Sequence, residues 1–168
     1  MRKMVLSILV ENTSGVLSRV SGLFSRRGYN IDSLTVGETE DPKFSRMTVV
    51  ATGDDQILDQ IRKQLDKLED IKEIIELVDG ASVCRELVLV KVAANKKQRQ
   101  DIISIADIFR AKIVDVAPDT IMIEITGNQA KINAFIRLLD GHKILELVRT
   151  GVTGLSRGSG DIGEYIDY

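Results

Sequence analysis

Glu11-Asn12-Thr13-Ser14-Gly15 joins an apolar run, Val5 to Val10, to a segment patterned as a helix, and these residue types at that junction could do chemistry. Asn, Thr and Ser are helix-capping types. Gly15 has no side chain to block close approach to the first unpaired backbone N–H groups of the helix. A helix N-terminus also carries roughly half a positive charge, so the turn can hold a carboxylate without any positive side chain. A small zwitterion suits such a turn better than a polyphosphate. The structural alternative is that Ser14 or Thr13 simply caps the helix.

Other reactive groupings are missing. His142 is the only histidine, and no motif sets an acid or nucleophile beside it, so it reads as a structural or exposed residue. There is no Cys-x-x-Cys, no His-x-x-x-His and no spaced acidic loop, which leaves no metal site and no catalytic residue to name. Cys84 has no disulfide partner and reads as a small buried hydrophobe. Glu69, Asp70 and Glu73 read as solvated surface. Arg19, Arg26 and Arg27 lie along the first helix and read as surface charge rather than as an anion clamp.

The totals point the same way. The chain has 168 residues, 43% of them hydrophobic, and a net charge of −2, enough apolar content for one large domain or two small ones. With no Trp, three Tyr and four Phe, it offers neither a basic footprint nor a set of base-stacking aromatics, so nucleic acid is not an expected partner. The start Met1-Arg2-Lys3-Met4 mimics a signal peptide, but Ser7 interrupts the apolar run and Glu11 ends it well short of a membrane span. The reading is a cytoplasmic protein with no membrane partner.

The elements that position the turn repeat. Met4, Leu6, Ile8 and Val10 alternate along a buried strand. Val16, Val20 and Leu23 then recur at helical spacing, widened by Leu17 and Phe24, and Gly28 stands where a left-handed C-cap ends the helix. Gly22, inside that helix, is expected to be a close-packing point. Ile31 to Val36 and Phe44 to Thr52 form a hairpin turned at Asp41-Pro42. Asp54 or Asp55 caps a helix with Ile57, Ile61, Leu65 and Leu68 on its apolar side, and Ile71 to Val78 closes the unit. The order is βαββαβ. After the polar break Asp79 to Ser82 it returns: a strand Leu87–Val92, a helix carrying Ile102, Ile105 and Phe109, the strands Ile113–Val116 and Ile121–Thr126 turned by Pro118-Asp119, a helix capped by Asn128, and a strand from Lys143 to Arg149. The fold class is α+β: two consecutive ferredoxin-like units, residues 1–79 and 83–158, each an antiparallel sheet with its helices on one face. Thr150 to Gly160 is glycine-rich but lacks the Gly-Lys-Ser/Thr ending of a phosphate cradle, so it reads as a flexible tail or docking segment, and residues 159–168 as a disordered tail.

In this topology the second strand lies at a sheet edge, near the opening of the first helix. The edge from Ile31 to Gly37 has no proline and few charges to prevent pairing, so two chains are expected to join there across a twofold axis. The resulting cleft would bring the Gly15 turn of one chain towards the Asn30 strand start of the other. A hydrophobic amino acid fits it: the carboxylate on the N–H groups of Gly15 and Val16, the ammonium on side-chain oxygens of Asn12 or Asn30 or on a carbonyl, and the side chain against Val16 and Ile31.

The residues Glu11-Asn12-x-x-Gly15-Val16-Leu17-Ser18-Arg19-Val20, then Gly22-Leu23-Phe24-x-x-Arg27-Gly28-Tyr29-Asn30-Ile31-x-Ser33-Leu34, carry a family resemblance. It extends through Ser45-Arg46-Met47-Thr48, Arg85-Glu86-Leu87 and Ile108-Phe109-Arg110 into Gly151-Val152-x-Gly154-Leu155-Ser156-Arg157-Gly158. The chain resembles the small, regulatory subunit of acetolactate synthase (acetohydroxyacid synthase), and its first unit looks like an ACT domain, a general amino-acid sensor. The resemblance implies a homodimer whose paired ACT domains bind valine or a related branched-chain amino acid, at Asn12, Gly15, Val16, Asn30 and Ile31. It also implies a separate catalytic subunit carrying thiamine diphosphate, Mg2+ and FAD, which condenses two pyruvates to 2-acetolactate with loss of CO2 in valine, leucine and isoleucine biosynthesis. No cofactor is expected in this chain. A stand-alone ACT sensor, an RNA-binding module of the same βαββαβ order and an acylphosphatase-type enzyme are the alternatives. The last needs an arginine in the first strand-to-helix loop, which is absent.

Overall fold

The computed structural model describes residues 1–160 and 162–164 and forms two compact units, Met1–Val83 together with the chain from Val152 onward, and Cys84–Gly151. In the first, the order is β1 (Arg2–Glu11), α1 (Val16–Arg26), β2 (Ser33–Glu38), β3 (Phe44–Gly53), α2 (Asp55–Asp66) and β4 (Ile71–Glu76). The sheet runs β2-β3-β1-β4, antiparallel throughout, so β2 is an edge strand as its topology requires. Met4, Leu6, Ile8 and Val10 of β1 meet Val16, Val20, Leu23 and Phe24 of α1 and Leu58, Ile61 and Leu65 of α2 in one core. Leu58 takes the fully buried place expected of Ile57, which packs at the rim.

Local signals set the helix ends. Asp54 Oδ1 accepts from Ile57 N at 2.8 Å and caps α2. Gly28, at φ 70°, ends α1: Gly28 N donates to Ser25 O at 3.1 Å and Tyr29 N to Phe24 O at 3.0 Å, the paired bonds of a left-handed C-cap. Gly22 is not a close-packing point, because a Cβ there would meet no atom within 4 Å.

The second unit repeats the order with β5 (Ser82–Ala93), α3 (Arg99–Ile108), β6 (Lys112–Ala117), β7 (Thr120–Gly127), α4 (Gln129–Leu138) and β8 (Ile144–Arg149), its sheet running β6-β7-β5-β8. Val88, Val90, Val92, Ile121, Ile123 and Ile125 face Ile102, Ile132 and Phe135 in its core. Asn95 and Gln98 form a reciprocal capping box before α3, Asn95 N donating to Gln98 Oε1 at 3.1 Å and Gln98 N to Asn95 Oδ1 at 3.0 Å. Asn128 Oδ1 accepts from Lys131 N at 2.9 Å and caps α4.

The segment after β8 is docked rather than free. Val152 N donates to Ser33 Oγ at 2.8 Å, Thr35 Oγ1 donates to Val152 O at 3.0 Å, and a short strand, β9 (Thr153–Ser156), follows. Arg157 N donates to Ala81 O at 2.9 Å. Ile162 packs on Leu9 and Phe44, so the expected disorder from residue 159 does not hold at Ile162. Asp161 and residues 165–168 of that expected tail lie outside the described residues. The structure also ends the second unit at Gly151, where residue 158 was expected.

Candidate functional site

Gly15 is the N-cap of α1, at φ 88° and ψ −7°, and no side chain caps the helix. Thr13 and Ser14 are exposed, so the structural alternative for this turn does not hold. The first helical backbone bond is Arg19 N to Gly15 O at 3.0 Å, which places the earlier N–H groups outside the helix's own bonding. Val16, 3% exposed, anchors the turn in the core.

Asn12 is held by its own backbone and amide: Asn12 N donates to Lys43 O at 2.7 Å, and Asn12 Nδ2 to Pro42 O at 2.9 Å and Glu38 Oε1 at 3.2 Å. Those bonds use its donors and leave Oδ1 to accept. Asn30 is alike, with Nδ2 donating to Asp32 Oδ1 at 2.9 Å. Asp32 is itself fixed by its N–H to Val50 O at 2.8 Å and by Thr52 Oγ1, which donates to Asp32 Oδ2 at 2.6 Å. Ile31 packs half-buried against the first core.

The turn is not neutral, contrary to expectation. Arg19 Nε and Nη2 donate to Asp70 Oδ2 and Oδ1 at 2.6 and 3.1 Å, and Nη1 lies 2.8 Å from where a Cβ on Gly15 would stand. The hydrogen bond from Arg19 holds the Asp70 carboxyl below its ordinary pKa, and the same bond raises that of Arg19. Asp70 is therefore a paired, half-buried acid, and Glu73 is half-buried too. The signal was present in the sequence: a helical side chain leans towards the N-terminus, so a long residue four places after Gly15 covers that turn. Cys84 is free and half-buried rather than buried, and His142 is half-buried.

One chain does not assemble the five residues. The register pairs Ser33 with Val50, Glu38 with Ser45 and Glu11 with Phe44. Asn12, Gly15 and Val16 thus stand at the Glu38 end of β2, while Asn30 and Ile31 stand at its start. Six strand residues separate the groups, roughly 20 Å at the usual rise. The end of β2 near the opening of α1 is the Glu38 end, and the Asn30 end lies at the opposite end of the strand. No strand among the described residues pairs with the outer side of β2.

Residues 6–73 match the model of the AHAS small subunit-like ACT domain, and residues 85–158 match that of the small subunit of acetolactate synthase. The chain belongs to the acetolactate synthase small-subunit family. It is 52% identical over 156 residues to a probable acetolactate synthase small subunit of Methanothermobacter thermautotrophicus, covering 92% of this chain and 93% of that one. It is 50% identical over 155 residues to the acetolactate synthase isozyme 3 small subunit of Escherichia coli, covering 92% and 95%. The crystal structure of the acetolactate synthase small subunit from Thermotoga maritima superposes with a TM-score of 0.86 at 40% identity, covering 95% of this chain and all of that one. Membership makes this a regulatory, non-catalytic subunit with an ACT domain, and a small subunit implies a catalytic one. The face on which an RNA-binding relative of this topology would stack bases offers Phe44, which is 8% exposed and packed with Leu9 and Ile162. Among the described residues, no helix is long and apolar enough to cross a membrane, and no cluster of ligand-type side chains could hold a metal ion.

Proposed function

We propose that this chain senses a branched-chain amino acid, valine in the first instance, at a seam between two copies joined β2 to β2, and that it governs a catalytic subunit in the cytoplasm accordingly. The observation that carries the reading is the separation of the two residue groups to opposite ends of an edge strand with an open outer side. An antiparallel pairing across a twofold axis sets the start of one β2 beside the end of the other. Asn30 and Ile31 of one copy then face Asn12, Gly15 and Val16 of the second, and each dimer carries two such sites.

In this site the effector carboxylate meets the uncapped N–H groups of α1 and the guanidinium of Arg19. The ammonium meets Oδ1 of Asn12 and of Asn30, and the side chain lies on Val16 and Ile31. The catalytic subunit supplies thiamine diphosphate, Mg2+ and FAD for the condensation of two pyruvates, and this chain activates it when docked. Feedback needs only that valine binds one assembled state better. A tenfold change in activity takes roughly 1.4 kcal/mol of differential affinity, within reach of a few hydrogen bonds in a partly dry cleft.

The test is complementation. Asn12→Ala and Asn30→Ala chains, each defective in calorimetric valine titration, are mixed and allowed to exchange. Mixed dimers carry one site with both lesions and one intact site, so about half the mixed dimers' binding capacity returns at parental affinity. No recovery on mixing, or undiminished binding by Asn30→Ala alone, refutes the seam.

A further inference from the structure

The chain from Val152 to Ser156 is held through the very strand that the proposed seam uses. Ser33 and Thr35 alternate along β2 and direct their hydroxyls to the sheet face opposite α1 and α2, where they grip both polar groups of one peptide residue: Val152 N donates to Ser33 Oγ at 2.8 Å, and Thr35 Oγ1 donates to Val152 O at 3.0 Å. Both hydroxyl-bearing residues and Val152 are half-buried, and Gly154 is buried. Two residues before Val152, Thr150 is fixed in the second unit, its N–H on Leu87 O at 3.0 Å and its hydroxyl accepting from Leu87 N at 3.1 Å. Only Gly151, at φ 89°, lies between the two fixed points.

Thr150 and Val152 each have their backbone or hydroxyl groups committed, so a displacement of either anchor has only the one residue Gly151 in which to be absorbed before it reaches the other. The backbone edge of β2 stays open for a second chain, since the grip uses side chains on the face and not the strand's outer N–H and C=O groups. The same strand can therefore take part in the seam and hold the strap at once.

We propose that Val152–Ser156 is a regulatory strap: Ser33 and Thr35 clamp it to β2, and through Gly151 it carries the state of the effector seam to β8 (Ile144–Arg149). This rests on the sensing function proposed above and deepens it by naming how the bound effector is read out. Ser33 and Thr35 are positioning residues; neither is expected to touch the effector.

The test uses the full chain assembled with its catalytic subunit. Ser33→Ala with Thr35→Val removes both hydroxyl anchors, while Ser33→Thr with Thr35→Ser keeps both and controls for packing damage. Backbone amide exchange reports whether Val152–Ser156 is docked, calorimetry reports valine binding, and turnover against valine concentration reports inhibition. The Ala/Val variant is expected to lose exchange protection in the strap and keep valine affinity within about threefold. Its valine concentration for half-inhibition should rise about tenfold, as the loss of two ordinary hydrogen bonds allows. The hydroxyl-keeping variant should match the parent in all three. The inference is overturned if the Ala/Val variant is inhibited like the parent, if its strap stays protected, or if the hydroxyl-keeping variant loses inhibition as well. Asn30→Ala, run alongside, separates the two levels. If it stays fully valine-sensitive, the seam itself is wrong and the strap's role falls with it. If it loses sensitivity while the Ala/Val variant does not, only the strap fails.

Discussion

Gly15→Ala tests the geometry of the turn with one carbon atom. The backbone at Gly15 has φ +88°, a left-handed conformation that costs an L-residue about 1–2 kcal/mol. The added Cβ would also meet Arg19 Nη1 at 2.8 Å, yet that atom is the far end of a flexible, solvent-exposed side chain, so the guanidinium swings aside and the backbone term dominates. At the usual entropy of unfolding for a domain of this size, about 1–2 kcal/mol lowers the first unit's melting temperature by about 4–16 °C. Differential scanning calorimetry of the full chain reads it. Gly22→Ala supplies the internal standard on the same helix: it sits mid-helix in open space, and replacing glycine there should stabilise by about 0.5–1 kcal/mol. The two substitutions are chemically identical and should move the same transition in opposite directions. Valine affinity should fall in Gly15→Ala, since Arg19 is displaced from the turn, and hold in Gly22→Ala. If both variants shift the transition in the same direction, the conformational assignment of Gly15 is refuted.

The Arg19–Asp70 pair gives a pH signature. Arg19 lowers the folded-state pKa of Asp70 below its ordinary 3.8, so the pair's stabilisation is fully present above that value and is lost as pH falls through the lowered one. Stability from this source should be flat between about pH 6 and 8, and Asp70→Asn should lower that neutral plateau and soften the acid limb of an unfolding profile, so that variant and parent converge at low pH. In the second unit, Glu86 is 5% exposed and accepts from Arg149 Nε and Nη2 at 2.7 and 2.9 Å. Glu86→Ala should cost about 2 kcal/mol in denaturant titration, less than a fully buried pair because the Arg149 side chain keeps 35% of its exposure; a cost below about 0.5 kcal/mol would show the pair to be ornamental.

The repeat of βαββαβ was legible because local signals agreed with periodicity. Asp54 and Asn128 cap the helices they precede, Gly28 ends α1, and the alternation of Met4, Leu6, Ile8 and Val10 fixes which face of β1 meets the helices. The Gly15 turn was legible for the same reason, although its two capping-type neighbours, Thr13 and Ser14, leave the helix uncapped. What sequence did not show depends on contacts far along the chain. The lean of Arg19 over the turn follows from its place four residues after Gly15, but its pairing with Asp70, 51 positions later, carries no local signal. The anchoring of Val152 by Ser33 and Thr35 spans 119 and 117 positions, and a glycine-rich segment carries no periodic pattern that would betray it. Gly22 shows the converse: a glycine inside a helix suggests tight packing, but the surrounding space is open.

The covering of Leu9 and Phe44 has a practical consequence. Leu9 is fully buried and Phe44 8% exposed although both lie on the side of the sheet away from its helices, and Ile162 packs against them. An ACT domain cut from this chain after residue 83 would thus present a bare apolar floor to water and invite aggregation. Splicing the terminal stretch beginning at Val152 directly behind that cut, through a short flexible joint, would restore the missing roof and give a soluble excised domain.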